Sequence, residues 1–257
     1  MRPNGRSTRR LTAMLPPIDY GTWGRLGILL PSGNTAAEPQ FSAARPEGLA
    51  IHWTRLPLTG SSEAQLRAMA DGVEGGARLL HDAHVGLIAF HCTAVSTWAP
   101  ELEAEILQRI TAASGCDAVA TSQALVSGLQ ALGARRIVMV SPYVEHIARR
   151  EERFFAERGF DVLASYFLGI GDPHEMLAVP PSRWSELLRA SADDRADAYV
   201  LSCTAVRGWA AVDEAEAALQ RPVITSNSAM LWYACRRLGH ASALPACGRL
   251  GGSALQR

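Results

Sequence analysis

A chain of 257 residues, 48% apolar and 19% charged, is long enough to bury a large core and is ordinary in composition for a globular enzyme. Its 25 basic and 25 acidic residues cancel, which argues against a general nucleic-acid or membrane-surface binder, since either would carry a basic face. No apolar run approaches the roughly 18–20 residues of a membrane helix, and five cysteines without a Cys-x-x-Cys pair indicate neither a disulfide framework nor a zinc knuckle.

Residues 1–20 begin basic and polar with no apolar signal core behind them, so they read as a leader on a cytoplasmic protein. A first lobe is expected over 21–120, completed by about 225–257, and a second over 121–224. Leu26–Leu30 is an apolar run ending at the turn signal Pro31-Ser32-Gly33-Asn34. Ala50–Leu56 is a second strand. Ser62–Asp82 follows as one helix, capped by Ser61 or Ser62. Gly72–Gly76 falls inside that helical pattern and is not a phosphate loop. Val85–Phe90 is a third strand, and Pro100–Ala113 and the stretch from Ser122 to Gly133 are helices. The same order resumes at Ile137.

The resumption is a repeat. Cys92-Thr93-Ala94-Val95 recurs as Cys203-Thr204-Ala205-Val206, and Trp98-Ala99 as Trp209-Ala210. Arg25 to Ile28 lines up with Arg136 to Met139 at the same offset: 203 − 92 and 136 − 25 are both 111. A two-copy repeat of this length predicts two similar Rossmann-like α/β lobes with parallel sheets, related by a pseudo-twofold, with the active site in the cleft between them. Ligands of such sheets sit at the carboxyl ends of the strands. That places Pro31–Asn34, His91–Ala94, Ser141–Tyr143 and Ser202–Ala205 around one cleft, with Cys92 facing Cys203.

A cysteine at a strand end with a helix behind it gains from the first helical N–H groups, here of Thr93, Ala94, Thr204 and Ala205. These donors are expected to lower the thiol pKa and to hold a substrate carboxylate or enediolate. Two thiols on opposite faces of a planar intermediate can share the work of adding to carbon and moving a proton. Cys116, Cys235 and Cys247 have no repeat partner and read as structural. So does His91, whose side chain points to the opposite face of the strand from Cys92. His81 and His84 read as solvated, His174 as a loop residue and Arg207 as an exposed arginine. No His, Asp and Glu set has metal-ligand spacing, and no cofactor is expected.

Several segments resemble the aspartate/glutamate racemase superfamily, and within it the maleate cis-trans isomerases and arylmalonate decarboxylases. They are Pro31-Ser32-Gly33-Asn34-Thr35, Ser141-Pro142-Tyr143, Leu201-Ser202-Cys203-Thr204, Pro222-Val223 running into Thr225-Ser226-Asn227, and the closing Gly248-Arg249-Leu250. The resemblance spans roughly residues 20 to 251. It implies that Cys92 adds to an alkene carbon, that Cys203 supplies and removes the proton, and that Asn34 and Tyr143 hold carboxylates. It also implies a small carboxylate substrate, and a homodimer as an open expectation.

The decarboxylases lack the first cysteine, which is present here. The isomerases place an asparagine after the second strand of the second lobe, where this chain has Gly169-Ile170-Gly171-Asp172-Pro173-His174. Asp172 there would repel a carboxylate or pair with a substrate ammonium. The leading expectation is a maleate-type isomerase. A racemase or decarboxylase working through an enediolate, with Cys203 as proton donor, is the alternative among enzymes. A two-lobed small-molecule binding protein is the alternative from another class.

Overall fold

The computed structural model describes residues 18–256 apart from 59, 61 and 99, so most of the expected leader, Ser61 and Ala99 lie outside the described residues. Strand β1 (Gly24–Pro31) is followed by α1 (Ala37–Ala44), β2 (Leu49–Leu56), α2 (Glu63–Ala70), α3 (Val73–Asp82) and β3 (Leu87–Phe90). Next come α4 (Thr93–Ser96), α5 (Pro100–Ser114), β4 (Ala118–Ala120) and α6 (Thr121–Ala131). The second half runs β5 (Arg136–Ser141), α7 (Glu145–Glu157), β6 (Asp161–Phe167), α8 (Pro173–Ala178), α9 (Pro181–Ala190) and β7 (Ala198–Leu201). A 3-10 turn (Gly208–Ala211), α10 (Val212–Leu219), β8 (Val223–Thr225), α11 (Ser226–Arg237) and a final 3-10 segment (Pro245–Gly252) close it. No helix among the described residues is long and apolar enough to cross a membrane.

The strands form two four-stranded sheets, β2-β1-β3-β4 and β6-β5-β7-β8, parallel throughout. The runs Leu26, Ile28, Leu29, Leu30 and Ile137–Val140 are buried on both faces, as a sheet covered by helices on each side requires. In each sheet the chain leaves the first strand to one side and returns to pair with it on the other. Neighbouring strands β1 and β3, or β5 and β7, therefore send their following loops in opposite directions and open a crevice between them. The four loops expected at the cleft follow these four strands.

Two local expectations need correction. The helix expected over 62–82 is two helices. Ser62 does cap the first, with its hydroxyl accepting from Gln65 N–H, but the chain turns at Asp71 and Gly72 before α3 begins. Glycine resists helix continuation, and the break lets α3 lie flat on the sheet. A Cβ on Gly76 would come within 2.6 Å of Leu29 Cδ2.

The repeat is also not gapless to its end. Thr121 and Ser226 start equivalent helices, yet 226 − 121 is 105, six residues short of the earlier offset. The shortening falls where lobe one has the long α5 and lobe two has the 3-10 turn and the shorter α10.

Helices α6 and α11, each following the fourth strand of its own sheet, pack against each other; α11 also touches β3 and α1 of the first lobe. The repeated tryptophans act reciprocally across this junction. Trp209 of lobe two meets the edge of Phe41 in α1, with centroids 5.8 Å apart. Trp98 of lobe one carries the Arg150 guanidinium of α7 at 3.7 Å.

Phe41 is fully buried and also meets Trp53 and His91 edge-on. Replacing Phe41 with Ala should lower unfolding free energy by about 3–5 kcal/mol, as measured by denaturant titration. A loss under about 1 kcal/mol would mean that the ring is not a keystone of the junction.

Candidate active site

One cavity is lined by all eight expected site residues: Asn34, Cys92, Thr93, Ala94, Tyr143, Cys203, Thr204 and Ala205. Pro31, Leu58, Gly60, Gly171, Pro173 and Met176 complete its wall. Both thiols are buried, each about 4% exposed. Arg207 is exposed and lines a different depression.

The two cysteine loops differ in backbone. Cys92 is extended, with φ −147°, and directly precedes the single turn of α4. Cys203 has φ +111°, a conformation that a side-chain-bearing residue adopts only at a cost of about 1–3 kcal/mol. No α-helix starts behind it, contrary to the symmetric expectation; a turn leads to the 3-10 segment. The strained turn is held from both ends. Cys203 N–H donates to Ser226 Oγ at 3.1 Å, and Ala205 N–H donates to Cys203 Sγ at 3.3 Å.

The expected lowering of the thiol pKa does not occur. Burial pushes the Cys92 thiol up to about 12 and the Cys203 thiol up to about 11. The N–H groups of Val95 and Ala94 pull Cys92 back without reaching a capping hydrogen bond. For Cys203 the pull comes from Ala205 N–H and from the Tyr143 hydroxyl. One helical turn carries too small a dipole to offset desolvation.

Asn34 works on two sides. Its Oδ1 accepts from the N–H groups of Ala36 and Ala37 at 3.0 and 3.1 Å, fixing the entry to α1. Its Nδ2 donates across the cleft to Thr204 Oγ1 at 3.0 Å. Asp172 does not face the cavity. Its carboxylate accepts from His174 and Glu175 N–H and caps α8, so His174 starts a helix rather than lying in a loop. The place of the missing amide is walled by Gly171, Pro173 and Met176, and Met176 Sδ lies 3.9 Å from Cys203 Sγ.

The start of α11 supplies residues that inspection of the sequence did not single out as site residues, although Ser226 and Asn227 stood in a family-like segment. Ser226 Oγ accepts from Thr93 Oγ1 at 2.9 Å as well as from Cys203 N–H. Asn227 Nδ2 donates to Gln40 Oε1 at 2.8 Å and to Thr204 O at 3.2 Å, which turns Oδ1 toward His91 Nε2, 2.9 Å away. His91 must therefore carry its proton on Nε2, which leaves Nδ1 3.1 Å from Thr121 Oγ1. Gln40 Nε2 continues the chain to Val206 O at 2.7 Å. The structural reading of His91 holds, but the side chain is a link in a buried network behind Cys92. Met176 had no signal in the sequence; only the turn before α8 brings it over Cys203.

Burial holds His91 neutral by lowering its pKa to about 4. The unfolded imidazole takes its proton near 6.5. As pH falls through this window the unfolded chain gains a proton that the folded chain refuses, so stability is lost toward acid. Glu151, raised by burial to about 7, titrates in the opposite sense over an overlapping range. The measurement is therefore the difference between wild type and His91→Gln. Between about pH 7 and about pH 4.5 the wild type should lose on the order of 2 kcal/mol more unfolding free energy than the variant. Identical pH dependence would mean that His91 is charged in the fold.

Residues 26–251 match the arylmalonate decarboxylase family. The maleate isomerase of Nocardia farcinica is 28% identical over 238 residues, covering 88% of this chain and 94% of that protein. The arylmalonate decarboxylase of Bordetella bronchiseptica is 29% identical over 187 residues, covering 71% and 78%. A solved structure of the Nocardia farcinica maleate cis-trans isomerase, a cysteine-to-serine variant with a covalently bound succinylcysteine intermediate, superposes with a TM-score of 0.83 at 24% identity, covering 88% of this chain and 97% of that one. With the fold, the paired cysteine loops and a family match over 226 of its 257 residues (251 − 26 + 1) in agreement, the chain belongs to the arylmalonate decarboxylase family.

Proposed function

We propose that this protein is a cofactor-independent isomerase of a small dicarboxylate, converting a maleate-like cis-enedioate to the trans form in the cytoplasm, where its five free cysteines stay reduced. The observation that carries the reading is the pair Cys92 and Cys203 on one cavity with Asn34 and Tyr143. A decarboxylation needs one proton donor; two thiols suit a reaction in which one bonds to carbon while the other moves a proton. The succinylcysteine seen in the Nocardia enzyme is the adduct that such a reaction would form.

Ionised Cys92 adds to one alkene carbon. The S–C bond forms as the π pair moves onto the neighbouring carbon and into its carboxylate, giving an enediolate. Asn34 and the N–H groups of Thr93, Ala94, Thr204 and Ala205 stabilise that charge. The Cys203 thiol gives its proton to that neighbouring carbon, the one not bonded to sulfur, and becomes a thiolate, to which the Tyr143 hydroxyl donates. The central bond is now single and turns. Cys203 takes a proton back, the double bond re-forms and Cys92 leaves as thiolate, so atoms and charge return to the start.

One observation favours a second reading, an arylmalonate-type decarboxylase with Cys203 as proton donor. Leu58, Pro31, Pro173 and Met176 give the cavity an apolar wall where a second carboxylate would want a donor.

Proton NMR separates the two. Maleate should give fumarate, with loss of about a thousandfold or more in Cys92→Ser. Cys203→Ser should hold a maleate adduct on Cys92, seen as intact mass. Unchanged maleate together with carbon dioxide release from an arylmalonate would replace the isomerase by the decarboxylase.

A further inference from the structure

The two cysteines stand in repeated motifs, but the residues behind them are not equivalent. His91 precedes Cys92, and Ser202 precedes Cys203. Behind His91 lies Asn227 and then Gln40, all neutral amides and an uncharged imidazole. Behind Ser202 lies Glu151, which occupies the repeat position of Gln40, since 151 − 111 is 40. Ser202 Oγ donates to Glu151 Oε1 in a buried hydrogen bond. Glu151 is 1% exposed, and its Oε2 has no hydrogen-bond partner among the described residues. The first thiol is thus backed by a network that carries no charge, and the second by a buried acid with one oxygen unsatisfied.

A carboxylate in that position is costly, because it is buried and only one of its oxygens accepts a hydrogen bond among the described residues. The titratable and charged groups that face it are few. Arg150, next to it on α7, favours its ionisation, but that guanidinium is stacked on Trp98 and donates to Ala94 O at 2.9 Å. Cys203 and Tyr143, at the ends of β7 and β5, are each made harder to ionise by a charge on Glu151. Burial raises the Glu151 carboxyl to about 7, so its charge changes in the range where the protein would work.

We infer that Glu151 is a positioning residue for Cys203: held by Ser202, the residue before Cys203, its neutral form permits the thiolate and its ionised form suppresses it. The arrangement gives the two cysteines different surroundings within one symmetric frame, with Cys92 backed by neutral groups and Cys203 by a titratable acid. The functional meaning of that tuning, proton transfer by Cys203, rests on the isomerase reading; the effect on the thiol does not.

The test therefore reads the thiol itself. The full chain is alkylated with iodoacetamide across pH about 6 to about 9, and modification at Cys203 and Cys92 is quantified separately by peptide mass spectrometry. A thiol far below its pKa reacts about tenfold faster per pH unit. In the wild type the Cys203 rate should rise by less than that across neutrality, as Glu151 ionises. Glu151→Gln, which copies the residue of the other lobe, should restore the full rise. It should leave Cys203 about three- to tenfold faster than wild type near pH 8, with Cys92 unchanged within about twofold. Ser202→Ala removes the donor that stabilises the carboxylate and should move the shallow region to higher pH, so that Cys203 reacts faster than in the wild type near neutrality, in the same direction as Glu151→Gln.

Superimposable Cys203 profiles in wild type and Glu151→Gln would overturn the inference. So would an equal acceleration of both cysteines, which marks a loosened fold. Because iodoacetamide needs no turnover, failure of the maleate reaction would leave this result intact, and failure here would leave the isomerase assay intact.

Discussion

The site depends on the first two residues of α11. Ser226 takes a hydrogen bond from Thr93 in one lobe and from Cys203 N–H in the other. Asn227 binds His91 and Gln40 in the first lobe and Thr204 in the second. Of these five partners, the Thr93 hydroxyl, Cys203 N–H, His91 Nε2 and Thr204 O are buried, and each left unsatisfied would cost about 1–3 kcal/mol. The same contacts fix the distance and direction between the loops that carry the two thiols. The helix that supplies them follows the fourth strand of the second sheet but packs over the third strand of the first. The cleft is therefore closed by an element that belongs to both halves.

Around that hub the lobes are copies in topology and unlike in chemistry. Both use the order second-first-third-fourth, and both put a cysteine at the end of the third strand. One cysteine precedes a helical turn in relaxed backbone; the other sits in a strained turn with an extra hydroxyl, Tyr143, on its sulfur. Reciprocal contacts of Trp209 with Phe41 and of Trp98 with Arg150 tie each loop to the opposite lobe. Desolvation dominates the electrostatics. It disfavours the charged forms of both thiols and of His91.

Much of this was legible in the chain. A periodic apolar pattern interrupted by turn residues identifies parallel strands because buried strands must be apolar on both faces. The Cys-Thr-Ala-Val repeat identifies the paired loops because a duplication preserves register over stretches without insertions. Asn34 and Tyr143 were legible through their family-like segments, and all eight expected residues meet in one cavity. The single helix expected over 62–82 failed because periodicity does not see that Gly72 and Gly76 let the chain break and settle on Leu29 and Leu56. The expected thiolates failed because a strand-end position tells of nearby N–H groups but not of burial, and burial is the larger effect.

The sequence by itself determined the α/β class, the two-copy plan, and the residue types that face the cleft, since these follow from local pattern and from self-similarity. Only the tertiary structure decided which groups touch. Asn227 reaches His91 across 136 residues, and Asn34 reaches Thr204 across 170. It turned Asp172 away from the cavity to cap a helix, and it brought Met176 over Cys203. It also set Glu151 behind one thiol while a glutamine stands at the same place in the other lobe. Hydrogen-bond partners and desolvation are properties of packed three-dimensional neighbourhoods, and no one-dimensional spacing encodes them.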